Sequence, residues 1–387
     1  MSAGDSVPAA RPRSRLSGRI LRAYGLALVL VAVWIIFAAL TSGVFLEPRN
    51  FSNLIRQTAV TGVLSVGMVM VIITGQIDLS VGSLLGMAGM AAVLVQVAWH
   101  WGLVPSLLTA VAVGILIGAL QGALTAHLGV PSFIVTLGGL LGWRGVAKGI
   151  SGGNTYPIEV AGFKALGQSY LPSNAGYALM VLAAFSLVWL VIHRNRVRKR
   201  HDLQPWSAAG MALRIVGPSI LIVAFVVALN AYAGVPVPVL IFVVVALLGA
   251  FLTQQTTFGR HLYAIGGNVE AARLSGINIR AHVLATFCIL GALTGIAAVI
   301  YTARVGSAGP DAGLLLELDA IAACVIGGAS LMGGRGTVLG ACLGALFMAS
   351  LDNGMSLKNV PDFIQDIVKG GILVTAVALD MVGRRWD

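Results

Sequence analysis

The side chains of this 387-residue chain that could do covalent or metal chemistry are few and far apart. Its six histidines (His100, His127, His193, His201, His261 and His282) are scattered, with no clustered nucleophile, base or ligand set beside them. Cys288, Cys324 and Cys342 all lie in apolar runs without metal-ligand spacing, and read as small buried residues. No G-x-x-x-x-G-K-[ST] string occurs, so there is no P-loop to cradle ATP. The polar chemistry that remains is hydrogen bonding. Asp78 and Ser80 sit in GQIDLSVGS, Asp319 in LDAIAACVIGG, and Asp352 with Asn353 in SLDNGMS, all close to the ends of apolar runs. Burying a charge in apolar surroundings is costly, so each acid needs a cap role, a partner or a polar cavity. Asp78 and Ser80 are expected to cap the helix starting near Ser80. Asp319 could cap a short helix or face a cavity, and Asp352 with Asn353 could hydrogen-bond a polar solute. Arg144, and Asp366 with Lys369, are expected to be interfacial or paired.

One polar stretch, TFGRHLYAIGGNVEAARLSGINI, is stranded between two apolar runs at 257–279. Its EAARLSG core (Glu270 to Gly276) favours a short helix, and Gly266, Gly267 and Gly276 read as stops. Glu270 and Arg273 are three residues apart and share a face of such a helix. A helix bounded this way can press into a pocket on a partner. The same residues also fit an ordinary amphipathic connecting loop.

Composition explains why these polar islands stand out. Hydrophobic residues make up 58% of the chain, charged residues only 10%, and the mean hydropathy is +0.92. A soluble domain carries about 25% charge, so this chain belongs in a bilayer. Apolar runs fall at 23–45, 57–75, 80–99, 104–126, 131–150, 174–193, 214–233, 237–254, 281–302, 318–332, 334–351 and 363–382. A crossing helix needs ~20 apolar residues, so 318–332 is expected as a re-entrant segment or half-helix. The fold class is therefore all-α: a polytopic transmembrane helical bundle of about ten to twelve membrane segments, since backbone polar groups in lipid must be satisfied within a segment. The polar, Arg-rich residues 1–24 show no cleavable signal.

Charge sets the orientation. The tail (Arg11, Arg13, Arg15, Arg19, Arg22), the HRNRVRKR block from His193 to Arg200, the loop at 257–280 and the GRRWD terminus at 383–387 are separated by even numbers of crossings. With Arg214 and Arg335, one side gathers most of the 25 Lys and Arg, and the positive-inside rule makes it the cytoplasm. Arg49 and Arg56 fall on the other side. The net charge of +11 thus needs no nucleic-acid partner.

Glycine recurs at four-residue spacing in three places: Gly82 and Gly86; Gly114, Gly118 and Gly122; Gly336, Gly340 and Gly344. Each set is expected to line a helix face that admits a neighbouring backbone. The longest loop on the outer side, about Ser151 to Asn174, is either an outer surface for a solute-carrying partner or a self-packed loop.

Several strings together carry a resemblance: NLIRQTAVTGVLSVGMVMVIITGQIDLSVGS, VPSFIVTLGG, GQSYLP, the 257–279 stretch, ELDAIAACVIGGASLMGG and MASLDNGMS. On them the chain resembles the ABC-importer permeases of the ribose/branched-chain-amino-acid type, over about residues 50–382. IDLSVGS and the IGGN–EAARLSGI segment are the family-level signatures. GQSYLP, an extra hairpin at 194–236 and LDAIAACVIGG with SLDNGMS resemble the xylose branch. The resemblance implies a permease domain at 25–382 in the bacterial cell membrane, with both termini cytoplasmic. It implies two copies forming the pore and a sugar-binding protein outside. It also implies a separate ATPase that binds ATP and Mg, leaving no cofactor and no enzymatic step in this chain. Arg260, Gly266, Gly267, Asn268, Glu270, Ala271, Arg273 and Gly276 would seat in that ATPase. Asp78, Ser80, Phe133, Thr136, Asp319, Asp352 and Asn353 are path candidates by motif position. Another pentose or hexose is the alternative cargo. An ion-coupled secondary transporter is a further alternative, disfavoured because the acids sit mostly near span ends.

The charge pattern makes a direct prediction. Cysteines placed at Arg198 and Asn268 should both resist an impermeant thiol reagent applied to intact cells, and labelling of either from outside would break this topology.

Overall fold

The structure, a computed structural model, describes residues 15–384; the terminal stretches 1–14 and 385–387, part of the expected cytoplasmic tails, lie outside the described residues. Helix α1 (Arg15–Leu40) begins inside the stretch expected as a tail. It is followed by α2 (Pro48–Ile73), α3 (Val81–Trp99), α4 (Leu103–Ala126) and α5 (Ser132–Ser151). A two-residue strand β1 (Tyr156–Pro157) and the short α6 (Ala161–Gln168) lead to the hairpin of α7 (Ser173–Arg200) and α8 (Ala208–Asn230). Next come α9 (Val237–Gln255), two short helices α10 (Thr257–Gly267) and α11 (Val269–Leu274), and α12 (Ile279–Val305). Strand β2 (Ser307–Ala308), α13 (Leu316–Ile326), α14 (Val338–Leu357) and α15 (Asp362–Arg384) complete the chain.

This is the expected helical membrane bundle. Among the described residues, α2, α3, α4, α7, α8, α9, α12 and α14 are long and apolar enough to cross a membrane. Helices α1, α5 and α15 have the length but fall short in apolar content or in described residues. At 11 residues, α13 is a half-helix, and the rest of the expected 318–332 run is an irregular turn with Gly328, Gly333 and Gly334 in the left-handed region. The basic block at 194–200 is not loop: it is the last two turns of α7.

Burial ranks the helices. Helix α2 is apolar but for Ser65 over its C-terminal half, residues 63–73, and 89% of its most apolar stretch is buried, against 11% for α7 and for α8. It is the axis of the bundle, packed by α9, α12, α13 and α14, with α3 and α4 reaching it through α12. A stretch without a polar face has no other stable place than a core or a lipid surround.

Small residues bring the inner helices together. Gly114 and Gly118 of α4 face Gly291 of α12, and a Cβ on either Gly114 or Gly291 would overlap the other's carbonyl oxygen. Gly340 and Gly344 of α14 sit on Gly327 and Ala323 at the end of α13 in the same way. Gly82 of α3 lies against Gly313 and Glu317. Gly336 departs from the expected stripe: it lies in the turn before α14, on no helix face.

The 151–174 loop is self-packed. Tyr156 and Pro157 pair with Ala308 and Ser307, Phe163 is fully buried, and Gly167 abuts the backbone of Ala303 and Arg304. Arg56 donates to the Gly167 carbonyl (2.6 Å) and the Tyr170 hydroxyl (3.0 Å), so it ties this cap to α2.

Replacing Gly291 by Val should lower stability by about 3 kcal/mol, since an overpacked backbone contact cannot relax by rotamer change. Gly138 has open space in the Cβ direction, and its Val variant should melt with the wild type in detergent. Equal melting of the two variants would mean that close approach does not hold α4 to α12.

Candidate functional site

Three capping residues build the connection between α9 and α12. The Thr256 hydroxyl accepts from Gly259 N–H (3.2 Å), Asn268 Oδ1 from Ala271 N–H (3.0 Å), and Asn278 Oδ1 from Ala281 N–H (3.0 Å). Each satisfies an orphan donor at a helix start, so the chain turns twice within a few residues. Helix α10 is anchored and α11 is presented. Leu262 and Ile265 are buried, and Tyr263 donates its phenol proton to Gly336 O (2.8 Å), burial raising its pKa and keeping the donor protonated. Gly266 lies so close to Ile73 O and Gly334 N that no Cβ fits, and Gly334 N–H itself donates to Ile73 O (2.8 Å). Gly266 is therefore a packing position inside α10 and not a stop; Gly267 ends the helix, and Gly276, at φ +79°, ends α11.

On α11 only Ala272 is buried. Glu270 and Arg273 form an exposed ion pair (3.0 Å), on one face as their spacing requires. Arg260, Gly267, Asn268, Ala271 and Gly276 are exposed beside them. Sequence reading weighted the charges and passed over Leu274, which is 87% exposed, and Val269. An exposed leucine on a polar connection was the available signal.

The path candidates separate into groups. Asp78, Ser80 and Thr136 come together at the break between α2 and α3. Ser80 N–H and O–H both donate to Asp78 Oδ1 (2.7 Å each), so neither side chain caps α3. Gln121 of α4 donates to Ser80 Oγ (2.9 Å), Ser132 Oγ accepts from Ile77 N–H (3.2 Å), and Thr136 donates to Ser132 O (2.9 Å). Trp143 Nε1 and Glu317 Oε2 are buried near this cluster with no hydrogen-bond partner among the described residues. Arg144 donates to Pro310 O (3.2 Å) and Ala312 O (2.6 Å), holding the segment that leads into α13.

Asp319 and Asp352 form a second group, and neither caps a helix. Both pair with Lys369 of α15, at 3.3 and 2.7 Å. Lys369 is thus paired, one of the two roles expected of it, and its partners are Asp319 and Asp352. Asn353 exchanges two hydrogen bonds with Asn50 of α2 (2.8 and 3.0 Å), an amide pair that closes on itself. Phe133 stands apart, 49% exposed on α5. Gln121, Ser132, Glu317, Lys369 and Asn50 were not among the expected site residues, because nothing local in the sequence marks their long-range partners.

The arrangement has no nucleophile–base pair, and no group of three or more metal-ligating side chains occurs among the described residues. What it offers is hydrogen-bonding chemistry in the middle of the bundle and a small helix held out at one end of it.

Comparison with known proteins identifies the family. The family described as branched-chain amino acid transport system / permease component matches residues 50–197 and 206–377. The xylose transport system permease protein XylH of Escherichia coli is 44% identical over 384 residues, 98% of this chain and 97% of that one. XylH of Haemophilus influenzae is 44% identical over 365 residues, covering 94% and 97%. The ribose import permease protein RbsC of Escherichia coli is 34% identical over 353 residues, covering 91% and 92%. No solved structure matches. The chain belongs to this permease family.

The Lys369 group yields a prediction. Lys369→Met leaves Asp319 and Asp352 facing each other without a cation and should cost about 3–5 kcal/mol, seen as reduced melting temperature and membrane abundance. Adding Asp319→Asn and Asp352→Asn should restore most of it. A triple variant no better than the single one would show that Lys369 acts through packing of its stem.

Proposed function

We propose that the chain is the membrane-spanning subunit of an ATP-driven importer for D-xylose. Two copies would enclose the path, a separate ATPase would bind ATP and Mg and grip α10–α11, and an extracytoplasmic binding protein would deliver the sugar. The observation that carries this reading is 44% identity to a xylose transport permease across 98% of the chain. In this reading the ends of the bundle at α11 and at the 194–200 block face the cytoplasm of a bacterial cell, as do both termini, by the distribution of Arg and Lys. Ribose and D-allose permeases at 34% and 31% identity keep another pentose or hexose as the second cargo.

Geometry supports a mechanical role. The exposed face of α11, with Leu274 at its C-terminal end beside the Glu270–Arg273 pair, suits a shallow pocket with complementary charge. Force applied there passes through Gly266 to the end of α2 and the turn before α14, and α2 breaks at once into the Asp78–Ser80–Gln121 cluster. A pentose is uncharged and rich in hydroxyls. The partnerless Trp143 N–H and Glu317 carboxylate oxygen near that cluster are a donor and an acceptor that hydroxyls satisfy, and hydrogen bonds of this kind exchange readily enough to release the cargo. Of the buried acids that an ion-coupled carrier would need, Asp319 and Asp352 are tied to Lys369.

Uptake of labelled xylose tests the reading. Deleting the gene should abolish uptake at low concentration, and Glu270→Lys or Leu274→Glu should abolish it while leaving membrane abundance unchanged and removing the ATPase on purification. Both side chains are exposed, so neither change disturbs the fold. Gly276→Leu should fail too, with the added strain of a side chain at positive φ. Normal uptake by the first two variants would make α11 a solvated loop. Loss of a different sugar with xylose uptake intact would reassign the cargo.

A further inference from the structure

Helix α7 and its turn into α8 carry a face that the importer reading leaves unused. Two shallow grooves run along α7 and meet at Phe185. The second, about 170 Å³, is lined by Phe185, Val188, Trp189, Ile192, His193 and Arg196. Trp189 and His193 stack, with ring centroids 5.2 Å apart and planes at 15°, so its wall is rigid. Arg196 and Arg200 continue the same helix face at the spacing of one turn. The rise from Phe185 to Arg196 is ~16 Å, the depth of one leaflet of hydrocarbon, about 15 Å.

The cations at the end of this groove are sorted. Arg198 is consumed by the turn: its guanidinium donates twice to Gln204 O (3.0 and 2.9 Å) and lies over Trp206 at 5.5 Å. Arg214 covers the same ring at 4.4 Å, and buried Asn195 accepts from Trp206 N–H (2.8 Å). The turn is thereby fixed. Arg196 and Arg200 remain exposed, with no carboxylate partner among the described residues. Asp202 is the only acid between Val191 and Val216.

We propose that this face of α7 binds one anionic phospholipid, its phosphate between Arg196 and Arg200 beside His193 and one acyl chain along Trp189 and Phe185. Charge complementarity selects the occupant. Guanidinium groups bind phosphate oxygens bidentately, and Asp202 is the one acid nearby that a choline or ethanolamine ammonium would find, so the balance of charge favours a head group with no ammonium. An apolar groove of one leaflet's depth, ending in cations, is the shape of a single lipid and of no soluble ligand.

The test uses native mass spectrometry of the full-length chain in detergent, titrated with phosphatidylglycerol or with phosphatidylcholine of the same acyl chains. Phosphatidylglycerol adducts should survive to higher collision energy. Arg196→Gln should weaken them about fivefold, and Trp189→Ala should weaken them as well. Arg194 lies on the opposite face of α7, and Arg194→Gln removes the same charge, so it should leave binding unchanged. Equal weakening by Arg194→Gln would reduce the effect to general surface charge and overturn the proposal. Equal retention of the two lipids would do the same, as would inter-chain crosslinking through Phe185→Cys with phosphatidylglycerol present, which would assign the face to a second copy of the chain.

Discussion

The fold turns on a contact between backbones at Gly266. Its α-carbon sits against the carbonyl of Ile73, the last residue of α2, and against the amide of Gly334, which donates to that same carbonyl. Three elements far apart in sequence meet here with no side chain between them. Side chains can absorb a displacement by changing rotamer, whereas backbone in van der Waals contact cannot. Movement of α10 is therefore movement of the end of α2, and the fixed phenol of Tyr263 on Gly336 adds the turn before α14 to the same body. Closely packed interiors transmit strain because they hold few voids in which to dissipate it.

What α2 does with that displacement follows from where it stops. It is the most buried helix of the bundle, and it ends at Thr74–Gly75, with Gly75 at φ +76°. The backbone groups freed by this break are met from α5 and from within the break: Ser132 of α5 accepts from Ile77 N–H, and Asp78 accepts from Ser80 N–H, the Ser80 side chain being held in turn by Gln121 of α4. A broken helix at membrane depth is tolerable only where protein or water satisfies it. The break therefore joins α2, α4 and α5 through hydrogen bonds that can be exchanged, while the Gly114–Gly291 contact keeps α4 on α12. The rigid contact at Gly266 and the exchangeable hydrogen bonds of the break thus lie at successive points on the same helix end.

The sequence makes some of this legible and hides the rest for definite reasons. Twelve apolar runs correspond to eleven long helices and the half-helix α13, because hydropathy is a local property and lipid enforces it. The Glu270–Arg273 face was legible because i,i+3 geometry is local as well. Misreadings begin where the partner is remote. Asp78 and Ser80 have the residue types of an N-cap, yet they bond each other and Gln121, 41 residues on from Ser80. The pairing of Lys369 was expected, but not its remote partners, Asp319 and Asp352. Gly266 looks like a helix stop because glycine is a poor helix former, while its actual constraint, the backbone of α2, is invisible without the fold.

The same distinction separates the inner and outer helices. Inside, specificity rests on absent atoms: glycines at 114, 291, 340 and 344 admit neighbouring backbones, and each added Cβ would have to displace main chain. Outside, on α7 and α8, large apolar side chains such as Phe185, Trp189 and Leu221 stand more than half exposed in the isolated chain. Those two helices pack mainly on each other, with α2 touched by α8 alone. A hairpin so placed adds little to the path around α2. Its shape is instead maintained at its turn, where Asn195, Arg198, Trp206 and Arg214 lock one another. Rigidity spent on a peripheral turn, with Arg196 and Arg200 left over at the end of a groove of leaflet depth, is explained by the membrane that surrounds the chain more readily than by the solute that crosses it.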